Sequence, residues 1–531
     1  MEARIMALHF LPTLAVAGTF GVADYLVLLA YLTVSVFIGA YASRGKKSFD
    51  DYCVADRRIP WWAACVSIVA TDLSGVSYIG VPAWIYQHDL KYNTGIVLMP
   101  FVMLAVAIIF VPIFYHAGVY TIYQYLERRF NRRARTMTAA LFLMKGFVHL
   151  GGAIYTPSLA LTLATGVPLW VCILVIGLCT SLYTIKGGMR AVIWTDLIQF
   201  IVLFGGLILM ICVAMAGLGW DWAGMWHTAS HMTAPASGTP YTTMLDWHFN
   251  LHTEATVWSL LAFYFVFNMG TYGTDQIAVQ RYFTVKSFRE VVKSVIGSGF
   301  VNVITVALMA GLGLILVVYY HAHPDLAKTL TRTDDVMPHF VMNVLPVGTR
   351  GIIFAAIFAA TMSCVSAGLN SFSTVGAVDL YRELVKPEAT DKHYLFVAKV
   401  LTGVSGIIVT ALGLLVSLSH TTILQTINSL LSIFIGPITA MFFLGVLTRR
   451  ANIVGLIIGV VAGLLFGGLL QWTSLGNNVN WLWLAPFGCV TTYVVGYLAS
   501  LPFAGRLSAQ VQPINDGIPA GVLPGIDPAK L

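Results

Sequence analysis

The sequence predicts an all-α membrane protein of thirteen transmembrane helices, ten of them arranged as a 5+5 inverted repeat. Three observations carry that prediction. Charged residues are only 10% of the 531 and hydrophobic ones 58%, with a mean hydropathy of +0.81. A soluble domain carries about 25% charge, so this surface suits lipid tails rather than water. Apolar runs also recur at the length of about 20 residues that a helix needs to cross a bilayer core. Finally, the five runs within 61–217 and the five within 255–448 enter from opposite sides, as an inverted repeat requires.

In order, the spans are 22–42, 61–86, 95–116, 136–164, 167–185, 191–217, 255–276, 294–320, 350–375, 395–418, 422–448, 452–472 and 481–503. The ten-residue alternation of a barrel strand does not occur. The resulting organisation is an N-terminal extra helix and loop (1–60), a first repeat (61–217), an external loop (218–254), a second repeat (255–448), two C-terminal helices (449–503) and a Pro/Gly-rich, flexible cytoplasmic tail (504–531). In a second external stretch, 321–349, the segment MPHFVMNVLP reads as a short amphipathic helix. The segment Ile5 to Phe20 resembles a leader, but its flank holds only Arg4 against Glu2, and no cleavage is expected.

Lys and Arg set the orientation. With the N-terminus outside, inner segments collect Arg44, Lys46, Lys47, Arg57, Arg58, Arg128, Arg129, Arg132, Arg133, Arg135, Lys186, Arg190, Arg281, Lys286, Arg289 and Lys293. They also collect Arg382, Lys386, Lys392, Arg449, Arg450, Arg506 and Lys530, while the outside keeps Arg4, Lys91, Lys328, Arg332 and Arg350. The expected location is the inner (plasma) membrane, with a cytoplasmic C-terminus. The formal charge of +7 is spread over short loops, so its partner is anionic lipid rather than nucleic acid. The seven cysteines form no CxxC pair, and neither disulfides nor structural zinc are expected. His227/His231 and His248/His252 have metal-like spacing but no clustered third ligand. HExxH, GxSxG and Walker patterns are absent, which argues against an enzyme.

The opening helix of each repeat carries polar residues or glycines at mid-depth: Thr71, Asp72, Ser74 and Gly75 in one, Asn268, Gly270 and Gly273 in the other. Interrupted helices in matching positions point to a transport site, because freed carbonyls bind cations and half-helix N-termini hold anions. At about 1.5 Å per residue, Asp72 lies about 17 Å and Lys145 about 14 Å from their inner helix ends. Both are near the midplane, where an ionisable group needs a partner and is commonly functional; an architectural Asp72–Lys145 pair is the plainer alternative. Ser363 and Ser366 share a helix face and lie, with Asp196, Ala70 and Leu73, in the inner half. Oxygen ligands of this kind suit a hard cation, although hydroxyls in membrane helices also serve packing.

The segments VSIVATDLSGVSYIGVP, YLERRF, GGMRAVIWTDLIQF, GTYGTDQIAVQRYF, AATMSCVSAGLNSFSTV and GPITAMFFLGVL resemble successive signatures of the sodium/solute symporter family, over about residues 22–503. The resemblance implies a leucine-transporter-type fold and sodium-coupled symport of a small solute. It implies a first sodium site of the carbonyls of Ala70, Leu73 and Ala360 with the side chains of Ser363 and Cys364. A second, present in some members, would use Asp196 with Ser363 and Ser366. Two departures stand out: Cys364 replaces the usual hydroxyl, and Ala367 replaces the hydroxyl common in two-sodium members.

The stretch LGGAIYTPSLAL is similar to the iodide, multivitamin and monocarboxylate branch, whereas ATDLSG is similar to proline carriers. Asp72, Ser74, Ser77, Lys145, His149, Asn268, Tyr272 and Ser432 are the candidate substrate residues. A monocarboxylate-type anion is the leading solute, with a proline-like amino acid or a sugar as alternatives. His149 reads equally as a neutral core histidine satisfied by a carbonyl. A sodium-independent uniporter or channel would not need Asp196 and the hydroxyls, and a membrane sensor would need a signalling domain. A single chain is the expected functional unit.

Overall fold

A computed structural model describes residues 20–42, 48–253, 255–330, 332–416, 423–473 and 479–503. The leader-like stretch before Phe20 and the expected flexible tail 504–531 lie outside the described residues. The labelled helices are α1 (Val22–Ala42), α2 (Trp61–Asp72), α3 (Gly75–Gln87), α4 (Met99–Ile109), α5 (Tyr123–Arg129), α6 (Arg132–Thr165), α7 (Leu169–Gly217) and α8 (Trp222–His231). They continue with α9 (Val257–Gly273), α10 (Gln276–Tyr282), α11 (Phe288–Ala322), α12 (Val336–Val344), α13 (Thr349–Val375), α14 (Asp391–Val416), α15 (Ile423–Leu447), α16 (Ile453–Trp472) and α17 (Leu484–Ser500). Several start where a side chain takes up a free backbone N–H. Asn131 accepts from Ala134, Thr256 from Ser259, Ser287 from Glu290 and Asn452 from Val454.

Among the described residues, ten helices are long and apolar enough to cross a membrane, or eleven if the bent pair α2–α3 is one span. The expected thirteen crossings further require α7 to count twice and the 17-residue α9 to count once. The 49-residue α7 does break, at Gly188, whose φ of 59° and ψ of −157° are non-helical. A Cβ there would lie 2.7 Å from the Tyr52 carbonyl oxygen. Glycine thus serves both the backbone angle and the close approach.

The pattern of burial runs outward from α13. Ninety-four per cent of its apolar window is buried, against 28% for α14, so α13 is the central post and α14 lies at the periphery. A π-helical turn, Gly376–Tyr381, follows α13. Loop 218–254 contains α8, and the segment expected to be amphipathic forms α12.

One part of the charge map is corrected. Arg129, Arg135 and Arg281, counted above as inner-loop cations, are buried. Arg129 donates to the carbonyls of Gly445, Thr448 and Ala451. Arg135 meets Asp379 and Glu127, each at 2.6 Å, and Glu383 at 2.7 Å. A count of loop cations treats each as solvated, whereas a carboxylate or several carbonyls can bury an arginine.

Candidate functional site

The first break lies between α2 and α3, which bend by 62°. Leu73 and Ser74 are extended, and the Leu73 N–H closes the last turn onto Val69. Helix geometry leaves the carbonyls from Ala70 onward without an intrahelical donor. Gly75 presses the break against α13, where an added Cβ would sit 2.5 Å from Thr361 Oγ1, one residue past Ala360. The second break falls at Thr274 and Asp275 rather than at Asn268 or Gly270, through which α9 is continuous. Asp275 Oδ1 accepts from the Ile277 N–H at 2.8 Å and so starts α10.

A cavity of about 220 Å³ opens between the breaks, with α6 and α11 completing its wall. Asp72, Ser74, Ser77, Lys145, His149, Asn268 and Tyr272 line it. Ser432 does not line the cavity; it is buried, and its neighbour Leu431 supplies the wall. The Asp72 carboxyl is exposed there and accepts from Asn302 Nδ2 at 3.4 Å, and Asn302 also donates to the Tyr272 hydroxyl at 2.8 Å. The alternative of an Asp72–Lys145 pair does not hold: Lys145 Nζ pairs with Asp275 Oδ2. Asp275 falls at the end of the span 255–276, away from mid-depth, so its sequence position alone does not mark it as a partner of Lys145. His149 Nε2 lies 3.8 Å from Cys364 Sγ, and its buried Nδ1 has no partner among the described residues, so the carbonyl expected to satisfy it is not there.

Behind α2 lies a second polar centre. Asp196 accepts from Ser363 Oγ at 2.6 Å and Ser67 Oγ at 2.5 Å. Arg281 Nη2 completes an ion pair with it at 3.2 Å, and Arg281 Nε donates to Ser67 at 2.7 Å. Asp196 and Arg281 are fully buried. Ser366 donates back to the Ser363 carbonyl at 3.1 Å. Cys364 faces the cavity, so the adjacent side chains Ser363 and Cys364 serve different centres. Ser67, Asn302 and Arg281 were also missed; the signal available was polarity beside quoted motifs, with nothing to say where each side chain would point.

Two helices interrupted at facing positions, around a cavity lined by charges, define a secondary transporter built on an inverted repeat. Residues 52–463 match the sodium:solute symporter family. The sodium/sialic acid symporter NanT of Aliivibrio fischeri is 30% identical over 494 residues, covering 93% of this chain and 96% of that one. Human sodium-coupled monocarboxylate transporter 1 is 28% identical, covering 87% and 75%. A substrate-bound, outward-open Na⁺-coupled sialic acid symporter superposes with a TM-score of 0.83 at 29% identity, covering 91% and 98%. The chain belongs to the sodium:solute symporter family. It is a sodium-coupled symporter of small solutes and not an enzyme.

Proposed function

We propose that the solute is a small carboxylate that also offers hydroxyl or ammonium donors, a narrower form of the monocarboxylate-type anion expected above. It sits in the cavity with its carboxylate at Lys145 and its donors at Asp72. The observation that carries this is the pair of opposite charges in one cavity: the Lys145 ammonium and the exposed Asp72 carboxylate. A plain anion would meet two carboxylates and one ammonium there; donors on the solute offset the second carboxylate. The printed substrates of two relatives, sialic acid and monocarboxylates, support the acid.

The first sodium ion uses the carbonyls of Ala70, Leu73 and Ala360 with Ser363, while Cys364 stays turned to the cavity, and a second ion uses Asp196 with Ser363 and Ser366. Sodium at the α2 carbonyls stabilises the outward-open arrangement with the cavity formed, and solute then favours closure by population shift. The N-terminus lies outside and a single chain suffices.

The test is uptake by the purified protein in liposomes under a sodium gradient, with lactate, N-acetylneuraminate, proline and glucose as probes. An acid should be taken up only with sodium, and Lys145→Met should cut its uptake by about 100-fold, the size of a lost buried charge pair. Because that change strands Asp275, Lys145→Met with Asp275→Asn is measured beside it and should stay inactive although it folds. Sodium-driven glucose uptake untouched by Lys145→Met would overturn the acid.

A further inference from the structure

The two polar centres are joined by one short element. Asp275 holds Lys145 with one oxygen and starts α10 with the other. Six residues on, Arg281 donates Nη1 to the Ile277 carbonyl at 2.6 Å and reaches Ser67 and Asp196 at 2.7 and 3.2 Å. The residue that receives the Asp275 cap therefore also receives Arg281, and the segment is closed on itself. Gln276 ties it to the turn before α5 through Tyr120 and Ile122. Gln280 ties it to Asn370 and Thr374 on α13. At about 1.5 Å per residue the seven-residue α10 is about 10 Å long, so a push at Asp275 moves Arg281 as part of one body.

We infer that α10 couples solute occupancy to the cation affinity of Asp196, with Asp275 and Arg281 as positioning residues. The inference rests on the proposed roles of Lys145 and Asp196. A solute carboxylate draws Lys145 from Asp275, and the freed end of α10 shifts. The contact that yields is Arg281 to Asp196, the longest of the three polar contacts of Arg281. While the guanidinium stays there it neutralises the carboxylate and repels a second cation; once it withdraws, an Asp196 oxygen is open to sodium. By linkage, sodium at Asp196 raises solute affinity by the same factor.

The coupling is tested without solute, so the identity of the solute cannot affect the outcome. Sodium binding is titrated calorimetrically, against choline, in the wild type, Asp275→Asn, Asp196→Asn and the double variant. Asp275→Asn imitates a released Lys145 and should tighten sodium binding about fivefold, the lower end of usual coupling. That gain should vanish in the Asp196→Asn background. If Asp275→Asn misfolds, Asp275→Asn with Lys145→Met leaves no stranded charge and takes its place, with the same expectation. An unchanged affinity, or an equal gain with and without Asp196, overturns the coupling. Sodium binding indifferent to Asp196→Asn also overturns it, by removing the cation from that site, and leaves the Lys145 reading to its own uptake test.

Discussion

Cys364 stands where the resemblance implies a hydroxyl, and a neutral thiol is a poor ligand for a hard ion. Its sulfur faces the cavity and His149 rather than the Asp196 centre. Cys364→Ser should therefore leave the sodium half-saturation of uptake equal or lower. A severalfold rise would instead assign the thiol a part in holding His149. Asp72, Lys145 and His149 were legible at this scale because ionisable groups are costly and rare at mid-membrane. Their partners were not. Asp275 and Arg281 sit at the ends of apolar runs, and only the fold carries them inward to Lys145 and Asp196.

At the scale of elements, Gly75 sets the distance between the α2–α3 break and α13. An added Cβ would meet Thr361 Oγ1 at 2.5 Å and Pro157 Cδ at 3.2 Å. Gly75→Ala should destabilise by about 1–3 kcal/mol, the usual overpacking range, and lower sodium-driven uptake. Thr361→Ala removes the nearer atom, so the double variant should recover part of both losses; thermal unfolding and uptake check this. The first break was legible in TDLSG, because its polar residues and glycine weaken a helix in mid-span. The second was placed too early. Asn268 and Gly270 are tolerated inside α9, and the chain turns only where Asp275 can cap the next helix.

Across the whole molecule, the cap formed by α12 and the turn before it carries a titratable handle. Burial pushes the Asp335 carboxyl up to about 6; Arg332 opposes the shift and Asp334 adds to it. An unfolded aspartate titrates near 4, so the folded chain binds this proton more tightly. The stabilisation is complete below about pH 4 and is lost as pH rises through about 6. His339 acts in the opposite sense, since burial lowers its pKa and acid removes its contribution. Asp335→Asn isolates the carboxyl. It should slow hydrogen exchange across α12 about tenfold or more at pH 7.5 and change little at pH 4.5; equal exchange at both pH values would place the carboxylate in water. The helical architecture itself was largely legible, because lipid imposes long apolar runs. The side-chain arrangement inside was not, since every helix there is apolar on most faces.

The charges around the two centres have an electrical consequence. Lys145 and Arg281 face Asp72, Asp196 and Asp275, two cations against three carboxylates, for a formal sum of −1. A potential of 100 mV is worth about 2.3 kcal/mol per charge moved across it. One sodium ion with a zwitterion cancels the sum, and so do two sodium ions with a monoanion. In either case the loaded core is electrically silent, and voltage acts on the empty one. On the loading proposed above, an interior-negative potential drives the unloaded, negative core back toward the outward-facing arrangement, so that the membrane voltage would reset the carrier rather than push the solute.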